Sequence, residues 1–153
     1  MIVTTSDLEF KQLIAERDFR PIVLTCGCFD VLTVGHIRHL KAAARPGYLL
    51  VVLVTKDKYV YKSCRPVFSE SLRAEMVDSL RCVDFTIINP YPTAVEMIES
   101  IRPQVYVKGK EYKENYTLPL DAEVRAMSAV NGKVEFTDTQ ELHTTDVIRL
   151  LKE

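Results

Sequence analysis

Five apolar runs rich in β-formers narrow the fold more than any other feature: PIVLTC (21–26), YLLVVLV (48–54), DFTIIN (84–89), QVYVK (104–108) and KVEFT (133–137). Most are continuous rather than alternating, which suits strands covered on both faces, as in a parallel sheet. Helical patterns lie between them. GHIRHLKAAARP puts Ile37, Leu40, Ala43 and Ala44 on one stripe. SESLRAEMVDSLRCV does the same with Leu72, Met76, Leu80 and Val83, and TAVEMIESIRP with Val95, Ile98 and Ile101. Ser69 and Thr93 are expected N-caps, Thr93 completing a capping box with Glu96. A further helix at about 120–130 should stop at Asn131–Gly132. SDLEFKQLIAER, capped by Ser6, should open the chain as a helix, and TTDVIRLLK should close it as one. Strand and helix alternate, so right-handed crossovers give an α/β, doubly wound, five-stranded parallel sheet. At 153 residues one domain over 1–153 is expected.

The formal net charge is -1, so no overall basic field would recruit nucleic acid or a membrane surface. No apolar run approaches the roughly 20 residues of a membrane span. The N-terminal MIVTTSDLEF has no basic region, apolar stretch or cleavage site, so no signal peptide is expected. Cys26 and Cys28 flank a glycine and are expected to make a poor disulfide pair and a poor metal clamp. With Cys64 and Cys82 they are expected to be reduced thiols of a cytoplasmic protein.

In a doubly wound sheet, ligands sit beyond the carboxyl ends of the strands. That edge receives GCFDVLTVGH after the first strand, TKDKYVYKSCRP after the second and the irregular KGKEYKENYTLP (108–119) after the fourth. Gly27 and Gly35 let a ligand approach the backbone, and a helix start at Gly35 offers amides and a positive dipole end to phosphate. His36 lies in the first turn and reaches the same anion. No Gly-Lys-Ser/Thr follows, so this is not a Walker loop, and the glycine spacing is not that of the dinucleotide fingerprint. His39 could pair with His36 on a metal, but no Cys, Asp or Glu has zinc spacing with them, so it is expected on the helix surface near the site.

Gly27-Cys28-Phe29-Asp30 followed by Thr33-Val34-Gly35-His36 resembles the Gly-x-Phe-Asp and His-x-Gly-His signature of the nucleotidyltransferase superfamily. VYVKGKEY (105–112) and LHTTDVI (142–148) resemble segments of the adenylyltransferase domain of bacterial heptose-phosphate enzymes, the ADP-heptose synthase type. Arg65-Pro66 and Arg73 resemble the phosphate-contacting segment and the following helix arginine of the family. Thr33 stands where most relatives have histidine, and His143 where serine is usual. DTQELHTT, from Asp138, lacks the arginine and glycine of the glycerol-phosphate cytidylyltransferase motif.

The resemblance implies a Rossmann-like fold and attack by an acceptor phosphate on the α-phosphorus of a nucleoside triphosphate, with release of pyrophosphate. A phosphate monoester has its second pKa near ~6 and needs no general base. The protein must position two polyanions and stabilise the charge that grows between them. The implied catalytic residues are His36, Thr33 and Lys108, with Thr33 supplying a hydroxyl donor that has no proton equilibrium of its own. Gly27, Cys28, Phe29, Gly35, Arg73, Gly109, His143, Thr144 and Thr145 would bind nucleotide, and Asp30, Lys62 and Arg65 the acceptor. Lys110 and Lys113 are solvated-loop residues as readily as ligands, and Tyr59, Tyr61, Tyr112 and Tyr116 are packing or lid residues. Mg²⁺ is implied by triphosphate chemistry and a homodimer by the family; no carboxylate cluster marks a metal site. ATP and a sugar phosphate are the expected substrates. The alternatives are cytidylyl transfer to a polyol or amino-alcohol phosphate, and a non-catalytic nucleotide-binding module.

Overall fold

The computed structural model describes residues 1–3, 15, 20–61, 66–139 and 149. The expected opening and closing helices, and Cys64, lie outside the described residues. The strands are β1 (Ile2–Val3), β2 (Ile22–Gly27), β3 (Leu49–Thr55), β4 (Phe85–Asn89), β5 (Val105–Gly109) and β6 (Lys133–Thr137). The helices are α1 (Val34–Ala43), α2 (Glu70–Asp78), α3 (Val95–Ile101), α4 (Glu111–Glu114) and α5 (Leu118–Ala129), with a 3-10 turn at Asp57–Tyr59. All strand pairs are parallel and the order is β1-β4-β3-β2-β5-β6. The five expected strands are present, and β1 adds a two-residue edge strand beside β4.

The continuous apolar runs are explained by the layers. In β3, Leu49, Val51 and Leu53 pack with Met97, Ile98 and Met127 of α3 and α5. The alternate residues Leu50, Val52 and Val54 pack with Leu40, Ala43, Ala74 and Val77 of α1 and α2. Helices cover both faces, so Leu49 through Val54 are all buried and apolar, and only Thr55, at the cavity end of β3, is polar.

The local signals are realised in part. Ser69 caps α2, accepting from Leu72 N–H. The expected stripe faces the core only in part: Leu80 and Val83 pack against it beyond the helix, but Leu72 is 49% exposed, and Arg73, Ala74 and Val77 are the buried residues of α2. The helix is rotated so that Arg73 points inward, and it ends at Asp78 rather than near residue 83. The capping box at Thr93 is not formed. Ala94 is the N-cap of α3, its N–H given to the Glu123 carboxylate at 3.1 Å, while Thr93 Oγ1 only accepts from Val95 N–H at 3.4 Å. The stretch expected to be irregular contains α4 and the start of α5, which is capped by Thr117.

The Asn131–Gly132 stop is realised in detail. Asn131 takes φ 60°, Gly132 N–H bonds Met127 O at 2.8 Å and Asn131 N–H bonds Ser128 O at 3.1 Å. These are the two closing bonds of a Schellman motif, with asparagine in the left-handed position. Gly132 is demanded by contact: a Cβ there would meet Met127 Cε and stand 2.7 Å from Pro103 O. Gly132→Ala is therefore expected to destabilise the protein by about 1–3 kcal/mol through overpacking against backbone. Urea unfolding of the two proteins checks this, and an unchanged midpoint would show that the turn relaxes freely.

Candidate active site

The chain leaves β2 for β3 and β4 on one side, then returns to β5 and β6 on the other. The switch point lies between β2 and β5, where the connections after the two strands diverge and open a crevice at their carboxyl ends. The loop after β2 carries residues 28–33 into α1, and β5 ends with Lys108 and Gly109.

Thr33 is the N-cap of α1, and it forms a capping box in which histidine replaces the usual Glu or Gln. Thr33 Oγ1 accepts from His36 N–H at 3.5 Å, and Thr33 N–H donates to His36 Nδ1 at 3.0 Å. A backbone N–H can only donate, so Nδ1 carries a lone pair and the neutral ring holds its proton on Nε2. The Thr33 hydroxyl, 3.0 Å from the same Nδ1, can then only donate to it. Phe29 packs edge-on against the ring, with centroids 5.5 Å apart. The result is an imidazole of defined tautomer in the first turn of a helix, where amides and dipole favour an anion. Gly35 lies buried in the same turn.

Other residues of the signature face inward. Phe29 is 3% exposed and its ring lies over Gly27, whose missing Cβ would stand 2.9 Å from Phe29 Cζ. Gly27 thus makes room for the protein's own phenyl ring. Asp30, expected to contact acceptor, is buried and accepts from Val67 N–H at 2.9 Å and Phe68 N–H at 3.0 Å. Arg73, expected at the nucleotide, is wholly buried. It donates to Phe68 O, Cys28 O, Thr55 O and the Asp57 carboxylate at 2.9, 2.6, 2.8 and 2.6 Å. A guanidinium engaged on four acceptors, three in loops and one at the end of β3, holds the crevice wall and has no fork left for phosphate. Lys62, Arg65, His143, Thr144 and Thr145 lie outside the described residues.

His39 is not the surface residue expected. The Thr25 hydroxyl donates to Val107 O at 2.8 Å, so it accepts from His39 Nε2–H at 3.0 Å. His39 Nδ1 then accepts from the Thr137 hydroxyl at 2.8 Å. This chain ties α1 to β2, β5 and β6. Burial, the largest effect, lowers the His39 pKa to about 4; Glu111 opposes it, and His36 and Lys108 add to it.

At the end of β5, Lys108 is 7% exposed and its Nζ lies 3.5 Å from Glu123 Oε2. The ammonium also sits 4.1 Å from the Tyr112 ring centroid and 3.4 Å from Tyr106 Oη. Burial, the largest single effect, works against its charge, but the Glu123 carboxylate together with smaller contributions from Cys26 and Tyr112 outweighs it, so its pKa is raised above the ordinary lysine value. Lys108 and Glu123 border a cavity of about 320 Å³ at the strand ends, together with Gly27, Cys28, Tyr59 and Asn89. Thr33 and His36 are not among its lining residues. Burial pushes the Cys26 thiol up to about 11, so this cavity residue stays protonated. Lys110 is the half-buried N-cap of α4 and Lys113 is exposed. Sequence reasoning misses Glu123, yet it shares an α5 stripe with Leu120 and Met127, and a glutamate there is itself a signal.

Among the described residues no group of three or more His, Cys, Asp or Glu could hold a metal ion, and no helix is long and apolar enough to cross a membrane. Helix amides, a donor imidazole and a caged ammonium all favour anions at the switch-point crevice of this α/β domain. The chain belongs to the cytidylyltransferase-like family, which matches residues 24–150, and so to the nucleotidyltransferase enzymes. It is 35% identical over 149 residues to the bifunctional protein HldE of Campylobacter jejuni subsp. doylei, covering 95% of this chain and 30% of that protein. Bifunctional protein HldE of Syntrophotalea carbinolica is 32% identical over 139 residues, 88% of this chain and 28% of the relative. The chain thus spans less than a third of these relatives' length. The crystal structure of the lipopolysaccharide core biosynthesis protein from Thermoplasma volcanium shares the fold, with TM-score 0.63 and 24% identity over 80% of this chain and 98% of that one.

The buried groups can be tested by substitution. Arg73→Met removes a charged clamp and leaves carbonyls and Asp57 without their donor, so it should cost about 3–5 kcal/mol of stability. Thermal unfolding checks this; an unchanged melting temperature with a raised KM for triphosphate would return Arg73 to the nucleotide. For His39, the unfolded side chain titrates near ~6.5 and the folded one near 4, so the unfolded state binds more protons between these values. Its contribution to stability is complete above about pH 6.5 and is lost as pH falls towards 4. The loss in stability from about pH 7.5 to 4.5 should be smaller by about 2 kcal/mol in His39→Gln than in the wild type, measured by urea unfolding.

Proposed function

We propose that this domain transfers AMP from ATP to a phosphorylated sugar of the heptose type and releases pyrophosphate. The Thr33–His36 capping box carries the reading, because it presets a donor at a phosphate-binding helix start beside the switch-point crevice. An acceptor phosphate oxygen bonds to the α-phosphorus as the bond from that phosphorus to the bridging oxygen of pyrophosphate breaks. His36 Nε2–H donates to an α-phosphate oxygen as charge grows there, and the helix start supplies amides to the same group. Lys108 adds a fixed positive charge on the cavity side, where the acceptor sits. His36 gives up no proton: the acceptor phosphate is already a nucleophile at neutral pH.

Mg²⁺ belongs to this reading as the ion of the triphosphate substrate. The described residues offer no carboxylate cage for a resident ion, and none of the steps above is routed through one. ATP and the heptose-type acceptor rest on the resemblance of VYVKGKEY and LHTTDVI and on the similarity to proteins named HldE.

The test is pyrophosphate release with ATP, CTP, GTP and UTP, each against sugar 1-phosphates and glycerol phosphate. ATP with a sugar phosphate should give the highest kcat/KM; CTP with glycerol phosphate ahead by tenfold or more would install the cytidylyl alternative. His36→Ala should lower kcat by roughly 10²–10³ with a small change in triphosphate KM, as for loss of one preorganised donor. Thr33→Val should lower kcat less, because the Thr33 N–H that sets the tautomer remains, and Thr33→Ser should restore it. Full activity in His36→Ala would remove the imidazole from the reaction.

A further inference from the structure

Lys108 is the one strand-end lysine among Lys108, Lys110 and Lys113 that is buried, and a buried ammonium is stable only when it is paired. Its carboxylate partner comes from a different element, 15 residues on, at the middle of α5. Glu123 is 5% exposed, and its two oxygens are engaged separately. Oε1 accepts Ala94 N–H at 3.1 Å, and Oε2 faces Lys108 Nζ. The first bond anchors the carboxylate to the N-cap of α3, so it cannot swing away from the second. Tyr112 covers the ammonium with its ring and Tyr106 offers its hydroxyl, but neither carries a compensating charge. The other titratable groups around this cluster are Cys26 of β2, held protonated, His39 of α1, held neutral, and Glu111 of α4, whose carboxylate lies over Gly109 and forms no ion pair with Lys108.

From this arrangement we infer that Glu123 is a positioning residue of the reaction: it keeps the Lys108 ammonium charged and fixed on the wall of the strand-end cavity. The inference rests on the proposed function in one respect, that Lys108 acts as a cation on bound phosphate. A structural ion pair would hold α5 to the sheet and nothing more. A positioning pair sets the pH range over which the cavity presents a positive charge. Replacing the carboxylate by the isosteric amide separates the two. Glu123→Gln keeps the bond to Ala94 N–H and leaves Lys108 buried without its ion-pair partner, and burial then lowers the lysine pKa.

The experiment measures kcat/KM for Glu123→Gln and for wild type from about pH 7 to pH 9, and takes the ratio so that titration of the substrates cancels. The ratio should fall roughly tenfold across that range as Lys108 loses its proton in the variant. A ratio that is low but flat is the signature of a structural role and overturns the inference. In parallel, side-chain NMR with labelled lysine, assigned by loss of the signal in Lys108→Met, tracks the Lys108 titration directly. It should move down in Glu123→Gln and move less in Glu123→Asp, which withdraws the carboxylate by one methylene. If the amide variant does not fold, the aspartate variant alone decides, and an unshifted Lys108 titration overturns the inference. A wild-type protein inactive with every triphosphate and acceptor would remove the proposed reaction, while the NMR titration would still decide whether Glu123 holds the charge.

Discussion

A single buried guanidinium gives the crevice its shape. Arg73 joins the loop after β2, the end of β3, the turn beyond it and the entry to α2, through Cys28, Thr55, Asp57 and Phe68. These segments are distant in the chain and none could hold its conformation alone. A buried charge of this kind adds little net stability over an apolar group of the same size, but removing it leaves several polar groups stranded. Its function is therefore specification. The rotation of α2 that exposes Leu72 is the cost of pointing Arg73 inward. Asp30 repeats the device from the opposite side, its carboxylate spanning Val67 N–H and Phe68 N–H.

On that frame the chemistry needs few groups. The signature glycine, phenylalanine and aspartate build the loop, and the loop delivers Thr33 and His36 to the start of α1. The threonine is suited to this place for two reasons. Its hydroxyl caps the helix, and its backbone and side chain both address one nitrogen of the imidazole, leaving the proton on the other. Another histidine at residue 33 would keep the backbone bond but supply no hydroxyl to the same cap.

Much of this is legible in the sequence, and the failures have physical causes. The central strands are visible because both faces of each are covered, which leaves continuous apolar runs, whereas edge strand β6 reads as alternation, with Lys133 exposed and Glu135 half-buried. Strand β1 is invisible because two residues carry no period. Thr33 is hard to recognise as a cap because its partner is histidine rather than Glu or Gln. Resemblance places Arg73 on phosphate, but an arginine on a helix has the same sequence signature whether it faces a ligand or a set of carbonyls. The sequence puts His39 on the surface because its partners lie 14 residues before it and 98 after it, beyond any local rule. Glu123 needs only the question of why a carboxylate sits on an apolar stripe.

The chain from Val107 through Thr25 and His39 to Thr137 has a bearing on how such a protein can change over generations. The Thr25 hydroxyl is committed to Val107 O and so accepts from His39, while the Thr137 hydroxyl, 2.8 Å from His39 Nδ1, also lies 3.4 Å from Lys108 O. Replacing either threonine by an apolar residue leaves an imidazole nitrogen of His39 without its partner, whereas serine keeps the hydroxyl. Two hydroxyls far apart in the sequence thus serve one histidine. A lineage that drops the histidine for an apolar residue leaves each threonine a carbonyl to donate to, Val107 O or Lys108 O, so the dependence runs one way: His39 needs positions 25 and 137 more than they need it.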